Sequence, residues 1–225
     1  MLLCRSWINQ LTASVRFTAL VLVCAVALTA GSRAATAATI FSAIVTNSQE
    51  VATPPVSPTT DAGAPRVSFG NATLQLDDAQ TALTYQITVF GIDLTHTQSP
   101  DLNDDLRAAH IHAPGAPGFN AGVVFGFLGT PFNEIAPDDL LVIPFATGVG
   151  GFISGKWDLN EGNNTTLALQ LPNLLAGLAY INFHTNEYPA GEIRGQILQV
   201  AEPALCALIA LGGVALLKRR RGWSR

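Results

Sequence analysis

Segments in which apolar and polar residues alternate constrain the fold of this chain most strongly. In residues 83–89, Leu83, Tyr85, Ile87 and Val89 alternate with polar residues. Because successive side chains of a β-strand point to opposite faces, this alternation predicts a strand with one buried face. Some eight or nine short strands are predicted among ten candidate segments, 39–46, 66–76, 83–89, 108–112, 122–128, 140–145, 152–159, 165–171, 179–185 and 192–199.

Turn residues separate these strands, and the chain between the two ends shows almost no helical pattern. This arrangement is typical of an all-β domain, either an antiparallel β-sandwich or a barrel. After Pro172, residues 173–178 are predicted to form one short helical turn. The apolar positions change phase within 66–76, which predicts a β-bulge at Gly70 and Asn71.

Residues 1–37 have the composition of a secretory signal peptide. Arg5 and Arg16 supply positive charge near its start, no acidic residue occurs in it, and an apolar run follows at 17–30. An Ala-Thr-Ala tripeptide of small residues near its end matches a cleavage site. The sequence therefore predicts an exported protein.

A second apolar run of 14 residues lies at 204–217, within the C-terminal segment 201–225, and a basic tail follows it at 218–225. At about 1.5 Å per residue, such a helix is roughly 21 Å long, shorter than the ~30 Å hydrocarbon core of a bilayer. With the Glu-Pro pair before the run, this layout resembles the PEP-CTERM sorting signal of bacteria. The resemblance implies processing by a membrane protease of the exosortase type, and the basic tail is expected on the cytoplasmic side. The chain departs from the usual Val-Pro-Glu-Pro at Ala201.

The segment between these ends, 38–200, is about the size of one ordinary domain and is strongly acidic. Of the 12 Lys and Arg residues only four lie between 38 and 203, whereas all 16 Asp and Glu residues do, so that residues 38–203 carry a formal net charge of −12. Such a surface repels polyanions, so a nucleic-acid partner is disfavoured and cations are favoured. The three cysteines, Cys4, Cys24 and Cys206, lie outside this domain, which excludes cysteine catalysis and thiolate metal ligands within it.

Two of the predicted strands carry clustered histidines. His110 and His112 are one residue apart, so they share one face of a strand. In the strand 179–185, His184 shares a face with Asn182 in the same way. If the two strands are neighbours, three imidazoles converge, and such a set suits zinc or copper with a fourth position for water or substrate.

The residues around the histidines allow two interpretations. In the first, Asn182, Glu187, Glu192 or Arg194 orients imidazoles that bind a metal ion. In the second, the histidines are structural, and they hydrogen-bond to the backbone and to Thr185, Glu192 or Arg194 to hold the turns at one end of the domain. Glu192 and Arg194 share a face as residues i and i+2, which is more often a structural than a catalytic pairing.

The polar segment 94–107 spaces Asp101, Asn103 and Asp105 somewhat like a calcium-binding loop. It lacks the Gly and the Glu that an EF-hand requires at its sixth and twelfth positions. The sequence therefore favours a solvated loop over a calcium site for adhesion. His96, in the same segment, is expected to be exposed.

Short motifs are distributed over most of the domain. They include Ser48-Gln49-Glu50-Val51, Pro54-Pro55-Val56, Leu83-Thr84-Tyr85, Ala109-His110-Ile111-His112, Tyr180, Asn182, His184-Thr185, Tyr188-Pro189 and the run Gly-Glu-Ile-Arg-Gly-Gln at 191–196. Together these motifs resemble the CHRD domain, a module first described in chordin and common in bacterial exported proteins. The resemblance implies an immunoglobulin-like β fold in an extracellular setting, and it supplies no reaction.

No nucleophile elbow, Ser-His-Asp signature, phosphate-binding glycine loop or catalytic carboxylate pair is evident in the sequence. We therefore expect a non-enzymatic module of the cell surface or extracellular matrix, which binds extracellular polymer or surface proteins and is held at the membrane by its C-terminal segment. The alternative is a copper or zinc metalloprotein, redox-active or metal-binding, that uses His110, His112 and His184. A similar His-x-His pair occurs on a β-sandwich strand of the copper,zinc superoxide dismutases, a likeness that by itself carries no function.

Overall fold

The computed structural model describes residues 38–134 and 140–200, which form nine strands and one α-helix. The predicted signal peptide at 1–37 and the predicted sorting segment at 201–225 lie outside these residues. Within the described part of the chain, no helix is both long enough and apolar enough to span a membrane. The elements are β1 (Thr39–Thr46), β2 (Phe69–Leu76), β3 (Ala82–Phe90), β4 (Leu106–His112), β5 (Val123–Leu128), β6 (Leu141–Pro144), β7 (Gly150–Asp158), α1 (Leu167–Leu175), β8 (Ala179–Thr185) and β9 (Ile193–Gln199).

The nine strands form one sheet in the order β5-β4-β8-β9-β1-β2-β3-β7-β6. Every neighbouring pair is antiparallel, as the sequence predicts. In this order β8 lies between β4 and β9, although β4 and β8 are far apart along the chain. This long-range pairing is what brings the two histidine-bearing strands together.

The sheet curls around its own apolar face, so that strands near its opposite edges pack against each other. Tyr85 on β3 lies with its ring centroid 6.2 Å from that of Phe125 and 5.4 Å from that of Phe127, both on β5. Phe125 also stacks on Trp157 of β7 at 4.8 Å. The result is a half-barrel with one core, and an immunoglobulin-like arrangement of two sheets is not confirmed.

The strands with the clearest alternation follow the predicted pattern. On β1, Phe41, Ala43 and Val45 are buried, whereas Ser42 and Ile44 between them are exposed. β3 shows the same alternation, and its apolar residues lie in the core. Burial of one face thus explains the period of two in both strands.

The predicted β-bulge at Gly70 and Asn71 is wrong. β2 pairs with β1 in unbroken register from Thr39 opposite Leu76 to Thr46 opposite Phe69. The apparent change of phase arises because Phe69 is on the outer face, where it stacks on Phe90 at 4.8 Å. In the sequence, the exposed Phe69 therefore looks like a residue that faces the core.

The strand predicted at 165–171 is also wrong, because this segment enters helix α1. The helix begins after Thr166, whose hydroxyl accepts a hydrogen bond from the Leu169 amide at 3.4 Å. Leu167 and Leu174 are buried on one side of the helix, at the i and i+7 spacing of a helical face. The short helical turn predicted at 173–178 is therefore the end of a longer helix.

Candidate metal site

The register of β4 and β8 brings all three clustered histidines to one face of the sheet. His110 lies opposite Asn182 and His112 opposite Tyr180, while His184 lies opposite Ala108. The intervening residues, such as Ile111, point into the apolar core. The alternation predicted from sequence is therefore confirmed, and the two strands are direct neighbours.

The three imidazole rings form a compact group. The ring centroid of His110 lies 5.7 Å from that of His112 and 5.0 Å from that of His184, and the remaining pair is 5.8 Å apart. Each ring contributes one nitrogen atom to a set in which all three nitrogens lie within 4.8 Å of one another. His110 and His112 are buried, and His184 is half-buried.

One nitrogen of each ring is fixed by a backbone carbonyl from a loop that covers this face. His110 Nε2 lies 3.1 Å from the Thr130 oxygen, and His112 Nδ1 lies 2.9 Å from the Ala121 oxygen. His184 Nδ1 lies 3.1 Å from the oxygen of Pro189. Because a carbonyl oxygen only accepts hydrogen bonds, each of these ring nitrogens carries the proton.

The other nitrogen of each ring has a lone pair and no hydrogen-bond partner. These atoms are His110 Nδ1, His112 Nε2 and His184 Nε2, and all three are inaccessible to solvent. An unsatisfied buried polar atom typically costs about 1–3 kcal/mol. Unpaired buried polar atoms are uncommon in folded proteins, and these three are the atoms through which the group could hold a metal ion.

The electrostatic surroundings keep the imidazoles neutral. Burial, together with the neighbouring histidine rings, lowers the pKa of His110 to about 4. Burial likewise lowers the pKa of His112 to about 4, and it lowers the pKa of His184. The free nitrogens are therefore unprotonated at neutral pH, which is the state that binds a metal ion.

Tyr180 and Arg194 support the loop that holds His112. The Arg194 guanidinium lies 3.5 Å from the centre of the Tyr180 ring. It donates hydrogen bonds to the carbonyl oxygens of Ala116 at 3.1 Å and Phe119 at 3.0 Å. Arg194, one of the residues predicted near the site, therefore hydrogen-bonds to the loop and not to an imidazole.

A glycine allows another loop to approach His110. A Cβ atom placed on Gly126 would lie 1.8 Å from the Pro131 oxygen and 3.2 Å from Cδ2 of His110. The Asn133 amide donates to the Gly126 oxygen at 2.8 Å, which keeps the loop against β5. The absence of a side chain at this position is what lets the loop place its carbonyl on the imidazole.

Glu187 and Glu192, also predicted to orient the imidazoles, instead bind Arg66, a residue that the sequence did not single out. Arg66 lies 2.9 Å from Glu187 and 2.5 Å from Glu192. Glu192 also accepts a hydrogen bond from the Thr185 hydroxyl at 2.6 Å. Glu192 and Arg194 share a face but have separate partners, so this group ties the segment before β2 to the loop after β8.

Glu50 is a second residue near the site that motif reasoning missed as a functional group. Its Oε1 and the Oδ1 of Asn182 are buried without hydrogen-bond partners. Both side chains lie beside Gly191, where an added Cβ would be 2.7 Å from the Glu50 oxygen and from the Asn182 amide nitrogen. Burial raises the pKa of Glu50 to about 7, against the opposing effect of Arg194. The only signal in the sequence was its place in the Ser-Gln-Glu-Val motif.

Asp101, one of the residues proposed for a calcium loop, is engaged by backbone amides. Asp101 accepts hydrogen bonds from the amides of Asp61 and Asn103, at 2.9 and 3.0 Å. A different acidic set, Asp93, Asp104 and Asp105, lies within 4.8 Å. Both oxygens of Asp93 are engaged by backbone amides of the following loop. This cluster therefore organises its own loop, and His96 nearby is exposed, as predicted.

Comparison with known protein families gives a match over most of the described chain. The profile of the CHRD domain matches residues 41–197, which include the three histidines of the site and all of the strands that carry them. No curated protein and no solved structure matches the chain. Since the matched segment covers well over half of its length, the chain belongs to the CHRD domain family.

Proposed function

We propose that the chain is an exported CHRD-domain module that binds a copper or zinc ion through His110, His112 and His184. Two observations carry the proposal: one nitrogen from each of the three rings lies within 4.8 Å of the other two, and each ring has one buried nitrogen without a hydrogen-bond partner. For atoms with this spacing, a point exists within about 2.8 Å of all three, which is 4.8 Å divided by √3. Small movements of the rings would shorten these distances to the ~2.0–2.1 Å of a zinc–nitrogen bond.

If the histidines had a purely structural role, only one of the two nitrogens in each ring would have a hydrogen-bond partner. The contacts to Thr130, Ala121 and Pro189 use one nitrogen of each imidazole. A fold that needed only those contacts would leave three lone pairs buried at a cost of about 1–3 kcal/mol each. A metal ion at the centre would satisfy all three at once.

The carbonyl contacts also suit metal binding. Metal-binding histidines usually donate their second ring N–H to a carbonyl or carboxylate, which fixes the tautomer and the orientation of the ring. Here all three histidines have such a carbonyl partner, each on a different loop. The arrangement is thus organised before an ion arrives.

The family assignment supports a binding or structural module, and the ends of the chain support its delivery outside the cell. We propose that residues 1–37 direct export and that 201–225 hold the protein at the membrane until an exosortase-like protease acts. The acidic domain would then work at the cell surface or in the extracellular matrix, with extracellular polymer or surface proteins as partners. Its net charge argues against nucleic acid as a partner.

Elemental analysis tests the metal site. The full chain would be purified without affinity histidines or chelator, next to the His110→Ala/His112→Ala variant and a His96→Ala control. About one equivalent of copper or zinc is expected in the wild type and in the control, with loss in the double variant. No metal in the wild type, and no rise of its melting temperature on addition of either ion, would exclude the site.

Cell fractionation tests the proposed localisation. A chain that lacks 201–225 is expected in the medium or periplasm, whereas the full chain is expected at first in the membrane fraction. Retention of both forms in the cytoplasm would contradict export. This result is independent of the metal analysis.

A further inference from the structure

The interior of the three-histidine group indicates which ion it suits, and this inference rests on the proposed metal-binding function. Among the described residues, the ligand group contains three imidazoles and no carboxylate. Structural zinc sites are almost always four-coordinate, and catalytic zinc sites add a water molecule to three protein ligands. The three imidazoles therefore fall one donor short of the usual zinc set.

The free nitrogens of the group are also closed to solvent, which removes the usual source of a fourth ligand. All three free nitrogens are inaccessible to solvent. The ring of His112 is stacked on Tyr180, and the loop that carries Thr130 lies over His110. To admit a water ligand, a covering loop would have to move and lose its carbonyl contact.

The charges around the group disfavour a divalent ion relative to a monovalent one. Each imidazole N–H is bound to a neutral carbonyl, so the ring contacts supply no negative charge. Arg194 places a guanidinium on the ring of Tyr180, the same ring that stacks on His112. The nearby carboxylate of Glu192 is paired with Arg66 instead.

We propose that this site holds copper(I) in trigonal coordination, by Nδ1 of His110 and Nε2 of His112 and His184, closed to water and to external ligands. Copper(I) has a filled d shell, carries a single charge and is stable with three nitrogen donors. The three free nitrogens, the lack of solvent access and the cation behind Tyr180 all match these properties. Such a site retains its ion and does not bind substrate.

The test compares the two ions on the full chain after removal of metal. Copper(I) is titrated under anaerobic conditions in competition with bicinchoninate, and zinc in competition with a chromophoric chelator. One equivalent of copper(I) is expected, with a Kd at least about 100-fold below that of zinc. X-ray absorption of the copper(I) form is expected to show three nitrogen ligands and no fourth ligand.

Matched variants locate the ion. His184→Gln is expected to lose copper(I) binding, whereas His96→Gln, at the histidine outside the group, is expected to retain it. Thermal melts establish that both variants are folded. If His184→Gln does not fold, the competition titrations and the X-ray absorption of the wild type decide the question.

Two results would overturn the inference in different ways. Zinc binding as tight as copper(I), or a fourth exchangeable ligand, would exclude a closed copper(I) site but leave the metal-binding function intact. If neither ion binds, both the inference and the metal-binding function fail.

Discussion

The imidazole of His112 lies flat against the phenol ring of Tyr180, with ring centroids 4.8 Å apart and an angle of 4° between the planes. The hydroxyl of Tyr180 also accepts a hydrogen bond from the Ala121 amide at 3.0 Å. The carbonyl of the same Ala121 binds Nδ1 of His112 at 2.9 Å. Tyr180 therefore fixes this histidine twice, through the face of its ring and through the loop residue that sets its tautomer.

Replacement of Tyr180 should weaken the metal site without removal of a ligand. For Tyr180→Leu we expect metal affinity to fall by about 10–100-fold, because groups that orient a metal-binding histidine typically have effects of this size. Tyr180→Phe keeps the stacked ring and should lose less affinity. Competition titration of the folded variants checks the difference. Equal affinity in the wild type and Tyr180→Leu would show that the stack does not position His112.

Gly126→Ala should destabilise the domain. The new Cβ would lie 1.8 Å from the Pro131 oxygen, so the loop over His110 has to move. We expect a loss of about 1–3 kcal/mol in the free energy of unfolding, as for other overpacked sites, measured by urea denaturation.

Gly122→Ala is the matched control for this substitution. Nothing lies within 4 Å of a Cβ placed on Gly122, so its free energy of unfolding should stay close to that of the wild type. Equal losses in both variants would contradict the proposed close contact at Gly126.

Arg66→Met should be among the more destabilising single substitutions. It would leave the buried carboxylate of Glu192 without its 2.5 Å partner, and uncompensated buried charges of this kind cost about 3–5 kcal/mol. Lys156→Met breaks a more exposed ion pair with Asp158, at 3.4 Å, and should cost no more than about 1 kcal/mol. Urea denaturation of both variants at neutral pH checks the order. Similar losses in the two would contradict a buried network around Arg66.

Glu50 should make the domain less stable as pH rises. Its pKa is raised from 4.5 to about 7 because it is buried, with Arg194 and Glu192 as the charged groups that face it. Between these two pH values the folded state retains a proton that the unfolded state releases, so the free energy of unfolding falls with increasing pH. The contribution is fully present below about pH 4.5 and absent above about pH 7.

The Glu50→Gln variant isolates this contribution from other titrating groups. The wild type is expected to lose on the order of 2 kcal/mol relative to Glu50→Gln between pH 5 and 8. Chemical denaturation at several pH values measures this difference. A constant difference across the range would show that Glu50 titrates normally.

The strands that could be predicted are those in which one face is polar. β1 and β8 begin and end where the alternation of the sequence places them. The prediction of a strand at 165–171 was wrong because a short apolar-polar alternation also fits one side of a helix. The cap at Thr166 and the burial of Leu174 favour the helix. Phe69 is exposed and stacks on Phe90, and its apolar character led to the wrong prediction of a bulge in β2.

The histidines of the site were predictable, but their surroundings were not. The single residue between His110 and His112 fixes their common face. Whether His184 joins them depends on the pairing of two strands that are distant in sequence, which local pattern does not contain. The partners of the rings are backbone carbonyls, which any residue can supply, so no side-chain signature marks Thr130 or Pro189.

In the two seven-residue strands β4 and β8, alternate residues contribute to the apolar core and to the histidine group. An insertion or deletion of one residue in β4 would exchange the two faces, moving His110 and His112 towards the core and Ile111 under the loops. Such a change would damage folding together with metal binding. Insertions and deletions of single residues are therefore not tolerated in these strands. Evolution can alter the site only by substitution at individual positions.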